Sequence, residues 1–260
     1  MLKDRDKSQI RSLFDSVSSD YGLFKGEGER LLSDFERQRI LVQILGQTDS
    51  AAWVLDVGCG WGRYLSLVSR RCSTAVGIDL SKQILLAGKK RFRDLDVDLI
   101  QADMEHLPFR DHAFNLTYSI RTFKYSRNPA KVLKEVCRVC KSPVSIMIYE
   151  VNNSLSLAYL AHLISSFLRF VAHLPISPWQ AGIATSTPFL MKKYFGDSGC
   201  GSVFYEGLLY IPQRLYGSTK FKRVYKRLIL LERVIPSLFS IFAYGILYST
   251  EAQGKRTLQE

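Results

Sequence analysis

Between residues 52 and 150 the chain alternates short apolar runs with amphipathic segments, and this rhythm constrains the fold more than any other feature. The apolar runs predict strands at 53–57, 74–78, 97–101, 114–119 and 144–149. The segments between them predict helices at about 62–70, 82–93 and 129–140. Apolar strands that alternate with helices are typical of a parallel sheet covered on both faces. The carboxyl ends of such strands share one edge of the sheet, where a ligand is expected.

Helices are also predicted before the first strand, at 8–18 and 29–45, because apolar residues recur there at helical spacing. We interpret residues 1–50 as an N-terminal helical cap, 51–150 as the core, and 151–250 as substrate-side helices and last strands of the same domain. In the last region VFYEGLLYI and SIFAYGILY predict strands. STPFLMKKYFGDSG predicts a helix that Ser186 caps, with Pro188 in its first turn.

Two other segments of the last region could contact a partner. Residues 154–174 predict an apolar helix with a single formal charge, Arg169, and a narrow polar stripe. The stripe argues against a membrane-spanning helix, which leaves a buried lid or a helix lying in a membrane interface. Residues 218–233 predict a basic amphipathic helix, which suits an anionic membrane surface.

The net charge of +12 is concentrated in the core and the last region. Residues 1–50 carry 8 basic and 9 acidic groups, residues 51–150 carry 16 and 10, and residues 151–250 carry 10 and 3. This excess indicates an anionic partner, which could be a membrane surface, a nucleic acid or an acidic substrate. A merely solubilising surface explains it as well.

The five cysteines are odd in number and irregularly spaced, which argues against a disulfide framework. Cys137 and Cys140 form a lone C-x-x-C inside a predicted helix, and we interpret them as packing residues rather than metal ligands or a redox pair. No metal site is expected. The first 16 residues are charged throughout and lack an apolar signal core, so the expected location is cytoplasmic, with membrane association left open.

The most specific motif is VLDVGCGWGRYL, which covers residues 54–65 and follows the first predicted strand. Its glycines, Gly58, Gly60 and Gly62, have the spacing G-x-G-x-G. A dinucleotide-binding loop needs G-x-G-x-x-G, and a P-loop needs Lys followed by Ser or Thr, so neither pattern fits. The carboxylate of Asp56 precedes the loop, which disfavours a pyrophosphate and suits a ligand that carries an ammonium group.

This motif resembles the first motif of the class I S-adenosylmethionine-dependent methyltransferases, and further motifs follow in the family's order. VGIDLS (76–81), QADMEHLPF (101–109) and FNLTYSIRTFKY (114–125) resemble the second, third and fourth. The resemblance is closest to the small-molecule, quinone-biosynthesis-like branch with a type 11 methyltransferase domain, and it covers about residues 10–150. It implies a Rossmann-like α/β fold: a seven-stranded, mostly parallel sheet with helices on both faces, an N-terminal helical cap and a helical insertion after strand five.

The resemblance also implies S-adenosylmethionine as the cofactor and assigns residues to it. Asp79 would accept both ribose hydroxyls, Asp103 would accept the adenine amino group, and Met104 would pack on the adenine ring. The implied cofactor-binding set is Asp56, Gly58, Cys59, Gly60, Gly62, Asp79, Leu80, Asp103, Met104, Ser119 and Tyr21.

Structural roles remain open for several members of this set. Asp56 could cap the amides of the loop, Asp79 could cap the helix that starts at Ser81, and Met104 could be a core residue. Cys59 is interpreted as a small buried residue rather than a nucleophile. Tyr21 matches a family position where a tyrosine closes over the cofactor, although it could equally be an ordinary loop residue.

The implied activity is methyl transfer to an oxygen or carbon of a small, lipophilic acceptor. A sulfonium methyl donor is already activated, so the protein mainly supplies positioning, and a dedicated base is not required. The weak candidates for a catalytic role are Tyr125, Arg121, His112 and Glu150. The alternatives are a tRNA or rRNA methyltransferase, which the charge favours but no recognisable RNA-binding module supports, and a non-catalytic cofactor-binding scaffold.

Overall fold

A computed structural model describes residues 6–18, 27–93, 96–141, 146–151, 155–156, 164, 171, 187–209, 243 and 245–250. Of residues 27–36, 151, 208–209 and 245 it describes the backbone alone. The helices are α1 Lys7–Ser16, α2 Glu27–Gly46, α3 Leu65–Val68, α4 Lys82–Arg91, α5 Pro129–Val139 and α6 Pro188–Asp197, with a 3-10 turn at Phe123–Tyr125. The strands are β1 Trp53–Val57, β2 Thr74–Asp79, β3 Asp98–Gln101, β4 Leu116–Ile120, β5 Ile146–Val151, β6 Phe204–Leu209 and β7 Gly245–Ser249.

The strands form one seven-stranded sheet in the order β3-β2-β1-β4-β5-β7-β6. The pairings among β1 to β5 are parallel, whereas β7 runs antiparallel to both β5 and β6. The predicted mostly parallel α/β sheet is therefore confirmed. The first five strands end at one edge, so the segments that follow them are brought together.

Helices cover both faces of the sheet, as the alternation of strands and helices predicts. One face packs against α5 and α6, whose apolar side chains meet those of β1, β2, β5 and β7. The opposite face packs against α2 and α3 along β1, β4, β5 and β7, and against α3 and α4 along β2 and β3. Consecutive strand residues point to opposite faces, so the near-continuous apolar strands are explained by burial on both sides.

Two predicted helix starts are wrong. The helix expected at about 62–70 is the single turn α3, which begins at Leu65. Gly62 cannot be its first residue, because its φ of 83° does not fit a right-handed helix. The cap of α6 is Thr187 rather than Ser186: the Thr187 side chain accepts a hydrogen bond from the Leu190 N–H, and Pro188 occupies the first turn as expected.

Cys137 packs against the core as expected, but it also forms a disulfide with Cys200, so the expectation that the cysteines form no disulfides is wrong for this pair. Their Cα atoms lie 5.7 Å apart, within the usual range for a disulfide. α5 packs against α6. This packing places Cys200, three residues after the end of α6, beside Cys137, which is 63 positions earlier in the sequence. Sequence spacing cannot show such a long-range contact. Cys140, the other member of the C-x-x-C, is buried and free.

Several predictions fall outside the described residues. They include Tyr21, nearly all of the apolar segment 154–174 and the whole basic segment 218–233. Within the described part of the chain, no helix has both the length and the apolar character needed to cross a membrane.

Candidate functional site

The glycine loop, residues 58–62, follows β1 and owes its path to three glycines in the left-handed region. The φ angles of Gly58, Gly60 and Gly62 are 78°, 56° and 83°, which explains their alternate spacing. The N–H groups of Gly58 and Cys59 donate to the Ile78 carbonyl at 2.8 and 2.9 Å, which ties the loop to the end of β2. A Cβ on Gly58 would lie 2.2 Å from Thr122 Cγ2, so the loop also packs closely against the exit of β4.

Asp79 ends β2 directly beside this loop. Its Oδ2 accepts the Gly60 N–H at 3.0 Å and its Oδ1 accepts the Ser81 N–H at 2.9 Å. Burial raises the pKa of Asp79, and these two hydrogen bonds counteract the rise only in part. The cap of α4 is the Ser81 side chain, which accepts the Ile84 N–H. Asp79 is therefore not the capping residue, and each of its oxygens keeps a second lone pair for a ligand hydroxyl.

Asp56 lies inside β1 and is only 2% exposed. Its directly paired neighbour on β4 is Tyr118, which is also buried. Burial raises the pKa of Asp56 well above its usual value, the nearby Tyr118 hydroxyl lowers it less strongly, and the charge of Asp79 raises it further. The carboxyl group therefore lies deeper than the glycine loop itself.

The β3 exit loop, residues 102–112, carries Asp103. Its Oδ1 accepts the Glu105 N–H at 2.9 Å, and its Oδ2 accepts a hydrogen bond from Lys7 Nζ of α1 at 2.6 Å. Burial alone would raise the pKa of Asp103, but the hydrogen bonds from Lys7 and from the Glu105 N–H outweigh it and lower that pKa. Asp103 is thus held as a carboxylate. His106 Nδ1 also lies 3.5 Å from Oδ2, so the lone pair left for a ligand is on Oδ1.

Arg138 of α5 fastens the same loop to the body of the protein. It donates to the carbonyls of Phe109 and Leu107 at 2.7 and 3.0 Å, and to the carboxylates of Asp111 and Glu135 at 2.8 and 2.7 Å. Glu135 in turn accepts the Leu107 N–H at 2.8 Å. The hydrogen bonds that Arg138 donates to Glu135 and Asp111 raise its pKa further above its already high value. The planar guanidinium thus acts as a fixed fork.

The β4 exit turn, residues 121–125, approaches the glycine loop from the other side. Thr122 Oγ1 donates to the Gly58 carbonyl at 3.2 Å, and Ser119 Oγ donates to the Val57 carbonyl at 2.8 Å. Arg121 has a φ of 60°, which is unusual for a side chain of this size. Its N–H donates to the Tyr149 carbonyl at 2.7 Å, so the bend is anchored on β5.

Glu150 of β5 accepts a hydrogen bond from the backbone of this turn. Its Oε1 accepts the Phe123 N–H at 2.7 Å, and its Oε2 is buried without a hydrogen-bond partner among the residues that the structure describes. Burial raises the pKa of Glu150 to about 7, against the opposing charges of Lys124 and Arg121. Three of the weak catalytic candidates, Glu150, Arg121 and Tyr125, thus share the carboxyl edge of the sheet.

His112 lies elsewhere. Its Nδ1 is 3.1 Å from the Cys140 carbonyl and its N–H donates to the Arg138 carbonyl, beside the end of α5 and before β4 begins. It therefore lies near the amino end of β4 rather than at the carboxyl ends of the strands, and the structure does not bring it to the predicted site.

The remaining predicted cofactor residues have ordinary local roles as well. Cys59 is buried, and burial raises the pKa of its thiol well above the usual value, as expected of a packing residue. Met104 packs against the core on the α5 side. The Leu80 carbonyl accepts a hydrogen bond from Gln101 Nε2 at 3.1 Å, which joins the ends of β2 and β3.

Sequence reasoning missed the residues that hold the site together across long distances. Thr122 lies inside the fourth motif, but neither it nor Lys7, Glu135 or Arg138 was assigned a role. Asp15 was missed too: its carboxylate accepts hydrogen bonds from the Ser81 hydroxyl and the Gln83 N–H, at the start of α4. The available signal was weak: Lys7 directly precedes the predicted helix 8–18, and Asp15 lies within that helix.

Comparison with known proteins agrees with this arrangement. Residues 55–148 match a family described as a methyltransferase domain. A malonyl-[acyl-carrier protein] O-methyltransferase of Marinomonas is 31% identical over 142 residues, which are 52% of this chain and 48% of that protein. A demethylmenaquinone methyltransferase of Staphylococcus saprophyticus is 26% identical over 155 residues, or 56% and 64%. The chain therefore spans about half to two thirds of the length of these relatives.

Solved structures share the fold at low sequence identity. A magnesium protoporphyrin IX methyltransferase from Synechocystis, solved with bound SAH, aligns with a TM-score of 0.66 and 12% identity over 95% of this chain and 100% of that one. The likeness extends the shared architecture beyond the matched domain. The family match over residues 55–148, the relatives and the shared fold agree that this part of the chain is a methyltransferase domain similar to those of the class I S-adenosylmethionine-dependent methyltransferases.

Proposed function

We propose that the protein is an enzyme that transfers the methyl group of S-adenosylmethionine to an oxygen or carbon of a small, lipophilic acceptor. One observation carries the proposal: the carboxylates of Asp79 and Asp103 lie at the ends of adjacent parallel strands, next to a loop of three left-handed glycines. The relatives described above are named for a malonyl group on an acyl-carrier protein and for demethylmenaquinone, which supports an acyl or quinone group as the acceptor over a nucleic acid.

The residues present fit this cofactor. Both oxygens of Asp79 retain a lone pair after binding the Gly60 and Ser81 N–H groups, as a pair of ribose hydroxyls requires. Asp103 Oδ1 retains a lone pair for an exocyclic amino group. Burial disfavours the charged form of Asp56, and an ammonium group bound beside it would stabilise that form. When bound, S-adenosylmethionine supplies an electrophilic methyl group; the protein residues bind it, orient it and exclude water.

Asp79→Ala tests the site assignment. Losing both ribose contacts inside a partly buried site should weaken binding of S-adenosylmethionine at least about 100-fold, since each hydrogen bond to a charged group is worth about 1.5–3 kcal/mol. Calorimetry on the wild type and the variant measures this change. Asp96→Ala, at an exposed position, is the matched control. Unchanged affinity in Asp79→Ala would remove Asp79 from the site.

Transfer of labelled methyl groups into fractionated extracts tests the activity. Label in the small-molecule or lipid fraction supports the proposal. Label in RNA would replace it by the RNA methyltransferase alternative. Cofactor binding with no labelled product in any fraction would favour the scaffold alternative.

We further propose a peripheral contact with anionic membranes through residues 154–174 and 218–233, which would leave the protein in the cytoplasm when it is not bound. Of the first segment, Ile164 and Val171 are helical and exposed, at 54% and 59%. Both exposed side chains are large and apolar, which supports an apolar contact surface. Co-sedimentation with phosphatidylglycerol vesicles that weakens with salt is expected; no binding at low salt would reject this part.

A further inference from the structure

α1 reaches the β3 exit loop with a single side chain. Lys7 Nζ lies 2.6 Å from Asp103 Oδ2 and 2.7 Å from Glu105 Oε2, although the acids are 96 and 98 residues away in sequence. The Glu105 side chain is only 9% exposed, whereas that of Lys7 is 35% exposed. The ammonium group therefore bridges two carboxylates at the boundary between the loop and solvent.

The two acids need this bridge because they repel each other. Burial raises the pKa values of both Asp103 and Glu105, and the charge of Asp103 raises that of Glu105 further. The hydrogen bonds from Lys7 reverse both shifts, helped at Glu105 by the Ser126 hydroxyl, which donates to Oε1 at 2.9 Å. Without Lys7, burial and mutual repulsion would favour protonation of one of the two carboxyl groups.

Other charged groups near Asp103 are weaker substitutes. His106 Nδ1 lies 3.5 Å from Asp103 Oδ2, but the His106 side chain is 65% exposed. On α5, Lys131 Nζ contacts His106 Nε2 rather than an acid of the loop. Solvent screening limits both groups.

α1 is fixed over this edge of the sheet at two further points. The Asp15 carboxylate accepts hydrogen bonds from the Ser81 hydroxyl and the Gln83 N–H, next to the end of β2. The Phe14 and Tyr125 rings meet edge to face with centroids 5.1 Å apart, next to the exit of β4. α1 thus contacts the segments that follow β2, β3 and β4, and Lys7 makes the contact with the segment that follows β3.

We propose that Lys7 is a positioning residue of the adenine subsite, which pairs with Asp103 and Glu105 so that Asp103 stays ionised and oriented toward an adenine amino group. The inference rests on the proposed function for the identity of the ligand. It adds that docking of α1 and cofactor affinity are one coupled equilibrium, since the same ammonium group serves both.

Lys7→Met is the primary test, because it keeps the length of the aliphatic stem and removes the charge. We expect S-adenosylmethionine to bind about tenfold more weakly at pH 7, a coupling of ordinary size, and the loss to deepen as the pH falls toward 5. The wild-type affinity should change less over that range. Lys7→Arg should restore most of the affinity, and Lys89→Met, an exposed lysine of α4, is the control for lost charge.

Carboxyl carbon NMR of the protein without cofactor gives a second measurement. The pKa of Asp103 or Glu105 should rise in Lys7→Met and remain low in Lys7→Arg. The inference is overturned if neither pKa changes, or if Lys7→Met weakens binding by the same factor at every pH in proportion to its loss of melting temperature. Failure of the wild type to bind S-adenosylmethionine would instead overturn the proposed function, while the NMR titration would still report on the bridge.

Discussion

The glycine loop and the β3 exit loop lie side by side at one edge of the sheet, yet different parts of the chain hold them. The glycine loop is held through its own backbone N–H groups. Those of Gly58 and Cys59 donate to the end of β2, and that of Gly60 donates to the Asp79 carboxylate. The β3 exit loop is instead held by side chains of helices that are distant in the sequence, Lys7 of α1 and Arg138 of α5. The backbone-held glycine loop therefore requires conformations that only a few residue types adopt. The side-chain-held β3 exit loop requires hydrogen-bond donors, which other donor side chains could replace.

This difference predicts how the two loops fail. A single added methyl group should break the glycine loop, since no neighbouring side chain can compensate for a forbidden φ. The β3 exit loop should instead weaken in steps, because several donors share its carbonyls and carboxylates.

Gly58→Ala should have the largest effect. The new Cβ would lie 2.2 to 2.7 Å from the Thr122 side chain, and the φ of 78° is unfavourable for alanine. Together, overpacking and the left-handed conformation cost about 4 kcal/mol of the free energy of unfolding. Urea denaturation measures this loss, and calorimetry should show cofactor binding lost together with it.

Gly196→Ala is the matched control. Gly196 lies in α6 with nothing within 4 Å of the added Cβ, so alanine should be neutral or stabilise by up to about 1 kcal/mol. If Gly58→Ala unfolds at the same urea concentration as Gly196→Ala, the glycine loop does not depend on the close approach of Thr122.

The same contrast explains how much could be predicted from the sequence. The five parallel strands, the positions of α1, α2, α4 and α5, and the acids at the strand ends follow from local periodicity and from a glycine spacing with a local cause. The start of α3 was missed because the positive φ of Gly62 overrides the helical pattern. These features depend on residues close together in the sequence.

Long-range contacts could not be predicted in this way. The pairing of Lys7 with Asp103, the fork of Arg138 and the disulfide of Cys137 with Cys200 each join residues that only the folded sheet brings together. A lysine or arginine on an amphipathic helix has the same local pattern whether it faces solvent or an acid. The backbone-held part of the site was therefore predictable, and the side-chain-held part was not.

Arg138→Met tests the side-chain-held loop. The change removes hydrogen bonds to two carbonyls and two carboxylates and leaves Glu135 without its cation. Since Arg138 is partly exposed, we expect a loss of about 2–3 kcal/mol in the free energy of unfolding rather than the full cost of a buried pair. Cofactor affinity should fall less than in Asp79→Ala, because Lys7 still holds Asp103.

Arg138→Lys should not rescue this loss, since one ammonium group cannot reproduce a fork that serves four acceptors. Lys134→Met, at an exposed position of the same helix, is the control and should change stability by less than about 0.5 kcal/mol. Full stability in Arg138→Lys would mean that charge alone, without the planar geometry, fastens the loop.

Glu150→Gln should have the smallest effect. It tests a case between the two loops, because at the β4 exit turn a buried side chain holds a backbone group. The amide oxygen can still accept the Phe123 N–H, so the turn should persist. Burial raises the pKa of Glu150 to about 7 in the folded protein, above its ordinary value of 4.5, so the folded state binds more protons than the unfolded state between these limits. Wild-type stability should therefore fall as the pH rises from about 4.5 to about 7, by about 2 kcal/mol.

Glu150→Gln should remove that pH dependence, so that the variant is the more stable protein at pH 8 and loses this advantage near pH 5. Urea midpoints measured from pH 4.5 to 8 follow the difference, with Asp96→Asn as an exposed control. Parallel pH profiles for the wild type and Glu150→Gln would show that Glu150 stays ionised throughout. The turn would then be held by charge from Lys124 and Arg121, as the β3 exit loop is held by Lys7, rather than by a neutral hydrogen bond.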